Sequence, residues 1–171
     1  VYENEIFAIL GHNGAGKSTL IKIMTGALKP DNGEILYEGL TLRNNIQTIR
    51  EKIGNFFFFR CCSKELSGGQ KRKLCIGIAL IGNPKYMFLD EPTTSLDPLS
   101  RRKIWDLLIK LKKNRIIFLC THYMDEADIL ADRKMIINKG KIRCLGTSLF
   151  LKHHFNLNYQ LNIETKDKKE V

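Results

Sequence analysis

The chain has 171 residues, 43% hydrophobic and 27% charged, enough for one domain with a core of its own and unlike a disordered segment. No run reaches the roughly 18 consecutive apolar residues of a membrane span and no leader pattern opens the chain, so it is expected to be soluble by itself. Lys and Arg number 28 against 18 Asp and Glu, a net charge of +10, but the basic residues are dispersed and no aromatic ladder interleaves with them, so no nucleic-acid partner is expected.

Ile6 to Leu10 is an apolar run that predicts a strand. Gly11-His12-Asn13-Gly14-Ala15-Gly16-Lys17-Ser18 follows, then Thr19, and Leu20 to Met24 opens an amphipathic helix expected to reach about Ala27. Strand, glycine loop and helix are the setting in which G-x-x-x-x-G-K-S/T binds phosphate. The glycines let successive backbone N–H groups turn toward an anion, and the helix adds its positive N-terminal end. Lys17 is placed to reach the β- and γ-phosphates of a nucleotide, and the Ser18 hydroxyl to hold Mg²⁺.

Pro30 to Gly33 predicts a turn and Glu34 to Tyr37 a strand; Arg43 to Ile53 is polar and helical in part, ending at Gly54. Phe56-Phe57-Phe58-Phe59-Arg60-Cys61-Cys62 fits neither an amphipathic helix nor an alternating strand. Ser67 is the expected N-cap of a helix through Leu80, with Leu74, Ile78 and Ile81 on one face. Tyr86 to Leu89 reads as a central parallel strand, Pro98 to Lys113 as a helix with Ile104, Leu107, Leu108 and Leu111 inward, and Ile116 to Cys120 as a second such strand. Asp125 to Ala131 predicts a short helix, and Lys134 to Asn138 with Lys141 to Leu145 a hairpin around Lys139-Gly140. Strands alternating with helices give an α/β class with a mostly parallel sheet covered on both faces. The five cysteines (Cys61, Cys62, Cys75, Cys120, Cys144) show no metal-ligand spacing and read as reduced thiols, mostly within apolar runs.

A phosphate loop that holds a metal ion needs a second carboxylate, and Asp90, at the end of the Tyr86 strand, supplies it. Glu91 is the candidate base: adjacent strand residues face opposite ways, which lets one acid serve the metal and the other polarise water. His122, at the end of the neighbouring strand, is a candidate to approach a γ-phosphate. Leu66-Ser67-Gly68-Gly69-Gln70 reads as another helix start able to meet an anion.

Taken in this order, the elements resemble the nucleotide-binding domain of ATP-binding-cassette (ABC) transporters. Gly11 to Ser18 matches Walker A, Leu66 to Gln70 the family signature, Tyr86 to Glu91 Walker B, Ser95-Leu96-Asp97 the D-loop and His122 the switch histidine. Flanking stretches such as Thr121-His122-Tyr123-Met124-Asp125-Glu126-Ala127-Asp128 are similar to subfamily A, whose members move lipids. The resemblance implies a P-loop NTPase fold over residues 1–146, with 147–171 a C-terminal extension, and ATP and Mg²⁺ as cofactors. It implies that two such domains face head to tail, each ATP lying between Walker A of one and Ser67, Gly68, Gly69 and Gln70 of the other, with Asp97 at the same junction. It further implies attached transmembrane domains, a lipid substrate moved through them, and a place on the cytoplasmic face of a membrane.

The chain departs from the family between Gly54 and Leu66, where a glutamine loop and a helical subdomain are expected and only the phenylalanine run stands. Gln47 lies upstream in the wrong setting. The aromatic residue that stacks on adenine has no counterpart, and Tyr2 matches a different family position. The first residues read as cut rather than begun. On these grounds the chain is expected to be a fragment or mis-spliced product of an active ATPase, with weak or no turnover of its own.

Overall fold

The computed structural model describes residues 1–56 and 66–155. Six strands form the main sheet: β1 (Glu5–Leu10), β4 (Ile53–Phe56), β5 (Tyr86–Asp90), β6 (Ile116–Thr121), β7 (Arg133–Asn138) and β8 (Lys141–Gly146), in the order β4-β5-β6-β1-β7-β8. All neighbours are parallel except β7 and β8, which form the expected antiparallel hairpin. A separate two-stranded ribbon pairs β2 (Leu36–Tyr37) with β3 (Leu40–Thr41).

Alternation along each strand sends side chains to two helical layers. Met87 and Leu89 of β5, with Ile117 and Leu119 of β6, pack against α3 (Gly68–Ala79), α4 (Pro98–Leu111) and α5 (Met124–Leu130). Tyr86 and Phe88, with Phe118, face α1 (Lys17–Met24) and α2 (Ile46–Glu51), where the Phe88 and Phe118 rings stack 4.7 Å apart. A seven-residue helix, α6 (Ser148–His154), is capped by Thr147, buries Leu151 and packs beside β8.

Several expectations shift in detail. Helix α1 stops at Met24 rather than near Ala27, because Gly26 takes φ 72° and the amides of Ala27 and Leu28 fold back onto the Lys22 carbonyl. The strand expected over Glu34 to Tyr37 contracts to Leu36–Tyr37, since Glu38 and Gly39 at φ 52° and 81° turn the chain at once into β3. The face of α3 carrying Leu74, Ile78 and Ile81 points outward, at 44%, 43% and 75% exposure, and the helix instead buries Cys75, Ile76 and Ala79. Cys75 and Cys120 are buried free thiols and Cys144 is half-buried, while Cys61, Cys62 and most of the phenylalanine run lie outside the described residues. No helix among the described residues is long and apolar enough to cross a membrane.

Candidate functional site

The phosphate loop forms where β1 hands over to α1. Gly14 and Gly16 stand at φ 80° and 109°, backbone that residues with a Cβ adopt only under strain. Gly11 is required by space instead, because a Cβ there would meet the Ile137 carbonyl oxygen at 2.5 Å. The β7–β8 turn braces the loop: the Gly140 amide donates to the Ala15 carbonyl at 2.9 Å. Spacing gave no hint of this second role for a hairpin glycine. Lys17 is buried and its Nζ donates to the Gly11 carbonyl at 2.7 Å, so the ammonium sits inside the ring of loop peptides. The first-turn amides of α1 have no partner within the helix and present its positive end at the same place. Ala15 is buried beneath the loop, whereas Asn13 and Thr19 are exposed at its surface.

The carboxyl ends of β5 and β6 bring the acids to this loop. Ser18 Oγ donates to Asp90 Oδ2 at 2.8 Å, joining the two residues expected to share a metal ion. Asp90 Oδ1 is buried with no hydrogen-bond partner, a hard oxygen left over beside a hydroxyl. That donor set fits a Mg²⁺ ion, which takes one or two protein oxygens and completes its shell with phosphate and water. No cluster of three or more His, Cys, Asp or Glu among the described residues builds an all-protein metal cage.

Glu91 and His122 meet directly. His122 Nδ1 lies 2.8 Å from Glu91 Oε2, the Thr94 hydroxyl donates to the same oxygen at 3.0 Å, and Lys17 Nζ is 3.8 Å from Oε1. The expected reason for the split between Asp90 and Glu91 needs correction. Strand alternation does not divide them, because β5 ends at Asp90 and Glu91 turns away at φ 51°, its amide donating to the Cys120 carbonyl at 2.9 Å. A non-glycine residue in that conformation is strained, and strain of this kind collects at functional sites. Burial, and secondarily Asp90, push the neighbouring Cys120 thiol far up, which leaves it an inert packing group.

The segment at Ser67 makes its hydrogen bonds within itself rather than with this cluster. Ser67 Oγ accepts from the Gln70 amide at 3.3 Å and Gln70 Oε1 accepts from the Ser67 amide at 2.9 Å, a reciprocal capping box at the start of α3. The Ser67 hydroxyl keeps its proton free to donate outward. Gly69 packs toward Leu96 and Ser100, and Asp97 caps α4 by accepting from the Ser100 amide at 2.9 Å. Those hydrogen bonds, led by the Ser100 amide, hold the exposed Asp97 carboxyl below its ordinary range. The structure thus unites Gly11 to Ser18 with Asp90, Glu91 and His122, and gathers Ser67 to Gln70 with Asp97 elsewhere. Thr94 escaped the sequence reading because a hydroxyl three residues past an acid carries no signature.

Comparison with known proteins adds independent support. The sequence profile of the ABC transporter family matches residues 1–63 and 59–94. Over 211 aligned positions the chain is 38% identical to the retinal-specific phospholipid-transporting ATPase ABCA4 of Mus musculus, covering 98% of this chain and 9% of that protein. It is 40% identical over 205 positions to ABC transporter A family member 2 of Dictyostelium discoideum, covering 94% of this chain and 13% of that one. The chain therefore spans only about a tenth of the length of these relatives. The cbiO1 subunit of a Clostridium perfringens ABC transporter complex superposes with TM-score 0.77 at 27% identity, over 92% of this chain and 81% of that one. The ATP-binding cassette MJ0796, solved as a dimer bound to ADP and Pi, shares the fold at TM-score 0.77 and 24% identity, over 86% and 87% of the two chains.

Proposed function

The chain belongs to the ABC transporter family, and on that premise we propose that it is the ATP-binding and ATP-hydrolysing cassette of a subfamily A transporter that moves lipid. The observation that carries this is the contact of His122 and Thr94 with Glu91, set beside the Ser18–Asp90 pair at the mouth of the phosphate loop.

Lys17 and the loop amides hold the β- and γ-phosphates of ATP, with Gly14 and Gly16 shaping the cradle. Ser18 and Asp90 hold Mg²⁺, which neutralises charge that builds on the phosphate oxygens. Glu91 accepts the proton of the attacking water. Two donors fix one of its oxygens, so the other stays directed at the loop, where Lys17 already lies 3.8 Å away. His122, hydrogen-bonded through Nδ1, orients that carboxylate and presents the rest of its ring to the γ-phosphate. Ser67, Gly68, Gly69 and Gln70, remote from this chain's own loop, act with Asp97 on the nucleotide of a second cassette in a head-to-tail dimer. The dimeric relative MJ0796 supports that arrangement. Attached transmembrane domains and a place on the cytoplasmic face of a membrane belong to the same proposal, and the likeness to membrane-transporter relatives such as the phospholipid-transporting ATPase ABCA4 supports them.

A second reading has its own observation. The family match breaks into two pieces that meet at residues 59–63, and the 211 aligned positions of one relative leave at least 40 without a counterpart in this 171-residue chain. An interruption there removes the glutamine loop expected to couple metal and water to the membrane domains, and favours a cassette that binds ATP without turning it over.

Mg-ATP binding and turnover by the purified chain, with Lys17→Ala and Glu91→Gln beside it, test both. Turnover lost in each variant establishes the working ATPase. Binding that depends on Lys17, with no turnover in the unaltered chain, establishes the second reading. A chain that binds no Mg-ATP at millimolar concentration fits neither.

A further inference from the structure

Glu126 is fully buried and, although it lies in the stretch from Thr121 to Asp128, none of the roles above falls to it. Its Oε1 accepts from the Thr93 hydroxyl at 2.7 Å and from Trp105 Nε1 at 3.1 Å, while its Oε2 is buried with no partner. The two donors therefore make the polar attachment of this carboxylate, and both come from the segment that begins at Glu91. Thr93, itself fully buried, stands two residues after Glu91, and Trp105 lies in α4, the helix that segment leads into.

Glu126 in turn stands four residues after His122, in the first turn of α5. A second contact joins the same elements: the Arg101 guanidinium of α4 sits 4.6 Å over the Tyr123 ring, and the Tyr123 and His122 rings are 4.1 Å apart. Past the backbone bond from the Glu91 amide to the Cys120 carbonyl, these side-chain contacts set how the Glu91 segment and the His122 segment face each other. A buried carboxylate adds little net stability over an apolar residue of its size, but when hydrogen-bonded it fixes geometry.

We propose that Glu126 is a positioning residue: by holding Thr93 and Trp105 it sets His122 against Glu91, and so sets how Glu91 is aimed. This rests on the ATPase reading only for its effect on turnover; the effect on His122 stands by itself.

The test uses Thr93→Val and Glu126→Met, which delete the donor or the acceptor with little change of volume, and Glu126→Gln, whose amide oxygen still accepts from both partners. The His122 ring resonances of the nucleotide-free chain are recorded with thermal midpoints, Mg-ATP affinity and turnover. Thr93→Val and Glu126→Met are expected to move the His122 resonances as Glu91→Gln does. They should also lower turnover by roughly ten- to a hundredfold with nucleotide affinity nearly unchanged, the loss a small misplacement of a catalytic group produces. Glu126→Gln should restore both. A lowered midpoint with unmoved His122 resonances would show that Glu126 only stabilises the fold, and moved resonances with unaltered turnover in an active chain would overturn its part in aiming Glu91. If the unaltered chain binds no nucleotide, the ATPase reading fails and the His122 resonances still decide the coupling. Should Glu126→Met not fold, Thr93→Val carries the comparison.

Discussion

The mouth of the phosphate loop and the outer face of α3 are built on opposite terms. At the loop, polar groups are paired with one another: Ser18 with Asp90, His122 and Thr94 with Glu91, Lys17 with the Gly11 carbonyl. On α3, apolar groups are turned outward with nothing of the described chain over them, Leu74, Ile78 and Ile81 all exposed. Pairing polar groups fixes the geometry of a site, whereas exposed aliphatic side chains contribute almost nothing to the fold that carries them. The first region can be altered with large loss of function and little loss of stability, and α3's outer face with neither.

Glu91→Gln is the largest effect expected. If Glu91 is the general base proposed above, its removal should lower turnover by about 10²–10⁴-fold, because amide and carboxylate are alike in shape but only the carboxylate takes a proton. Its thermal midpoint should stay close to that of the unaltered chain. A midpoint that fell steeply would mean that the pairing at the loop is structural, and the contrast with α3 would weaken. Next comes a pair of substitutions within α3. Ile76 is fully buried, and Ile76→Ala should destabilise by about 2–5 kcal/mol in chemical denaturation. Ile78→Ser, two residues along on the exposed side, should change stability by no more than about 0.5 kcal/mol. Equal losses in the two would show that the outer face is covered in solution.

The seam beneath α3 explains its orientation and supplies a third test. A Cβ on Gly54 would stand 2.1 Å from the Ala79 carbonyl oxygen and 2.6 Å from Pro84, so β4 and the end of α3 touch backbone to backbone. That approach needs a face of small residues, and Cys75 and Ala79 provide it around Ile76. Gly54→Ala is therefore expected to destabilise by about 1–3 kcal/mol, read as a lower denaturant midpoint. A neutral result would mean that α3 can lift from β4.

This seam also marks where sequence reasoning ran out. Periodicity favours the longest aliphatic stripe, and on α3 that stripe is the exposed one, because burial was decided by a glycine on another strand. By contrast, Gly11 to Ser18, the strands over Tyr86 and Ile116, and His122 at a strand end were legible, since each is local spacing tied to a local conformation. The brace from Gly140, the hydroxyl of Thr94 and the Glu126 contacts were not. The Gly140 and Glu126 contacts join residues 21 or more positions apart, and the Thr94 contact depends on a left-handed Glu91; neither leaves a mark in the local pattern.

The smallest effect lies at the other end of the strands that carry the site. Glu38, in the turn of the β2–β3 ribbon, pairs with Lys52 just before β4 at 2.8 Å and with Lys85 just before β5 at 2.5 Å. The hydrogen bonds from Lys52 and then Lys85 pull its carboxyl down to about 2. A carboxyl whose value is lowered on folding stabilises the fold above its unfolded value and loses that contribution as pH falls toward the folded one. The contribution should therefore be present at neutral pH and fade between about pH 5 and 2. All three side chains are substantially exposed, so solvent and salt screen the pairs and the contribution should stay below about 1 kcal/mol. Glu38→Gln is expected to flatten the acid limb of stability slightly relative to the unaltered chain, and added salt should shrink the difference further. A difference that persisted in high salt would place Glu38 among matched groups like those at the phosphate loop, and the ribbon would then be a fixed part of the fold rather than an arm held by surface charge.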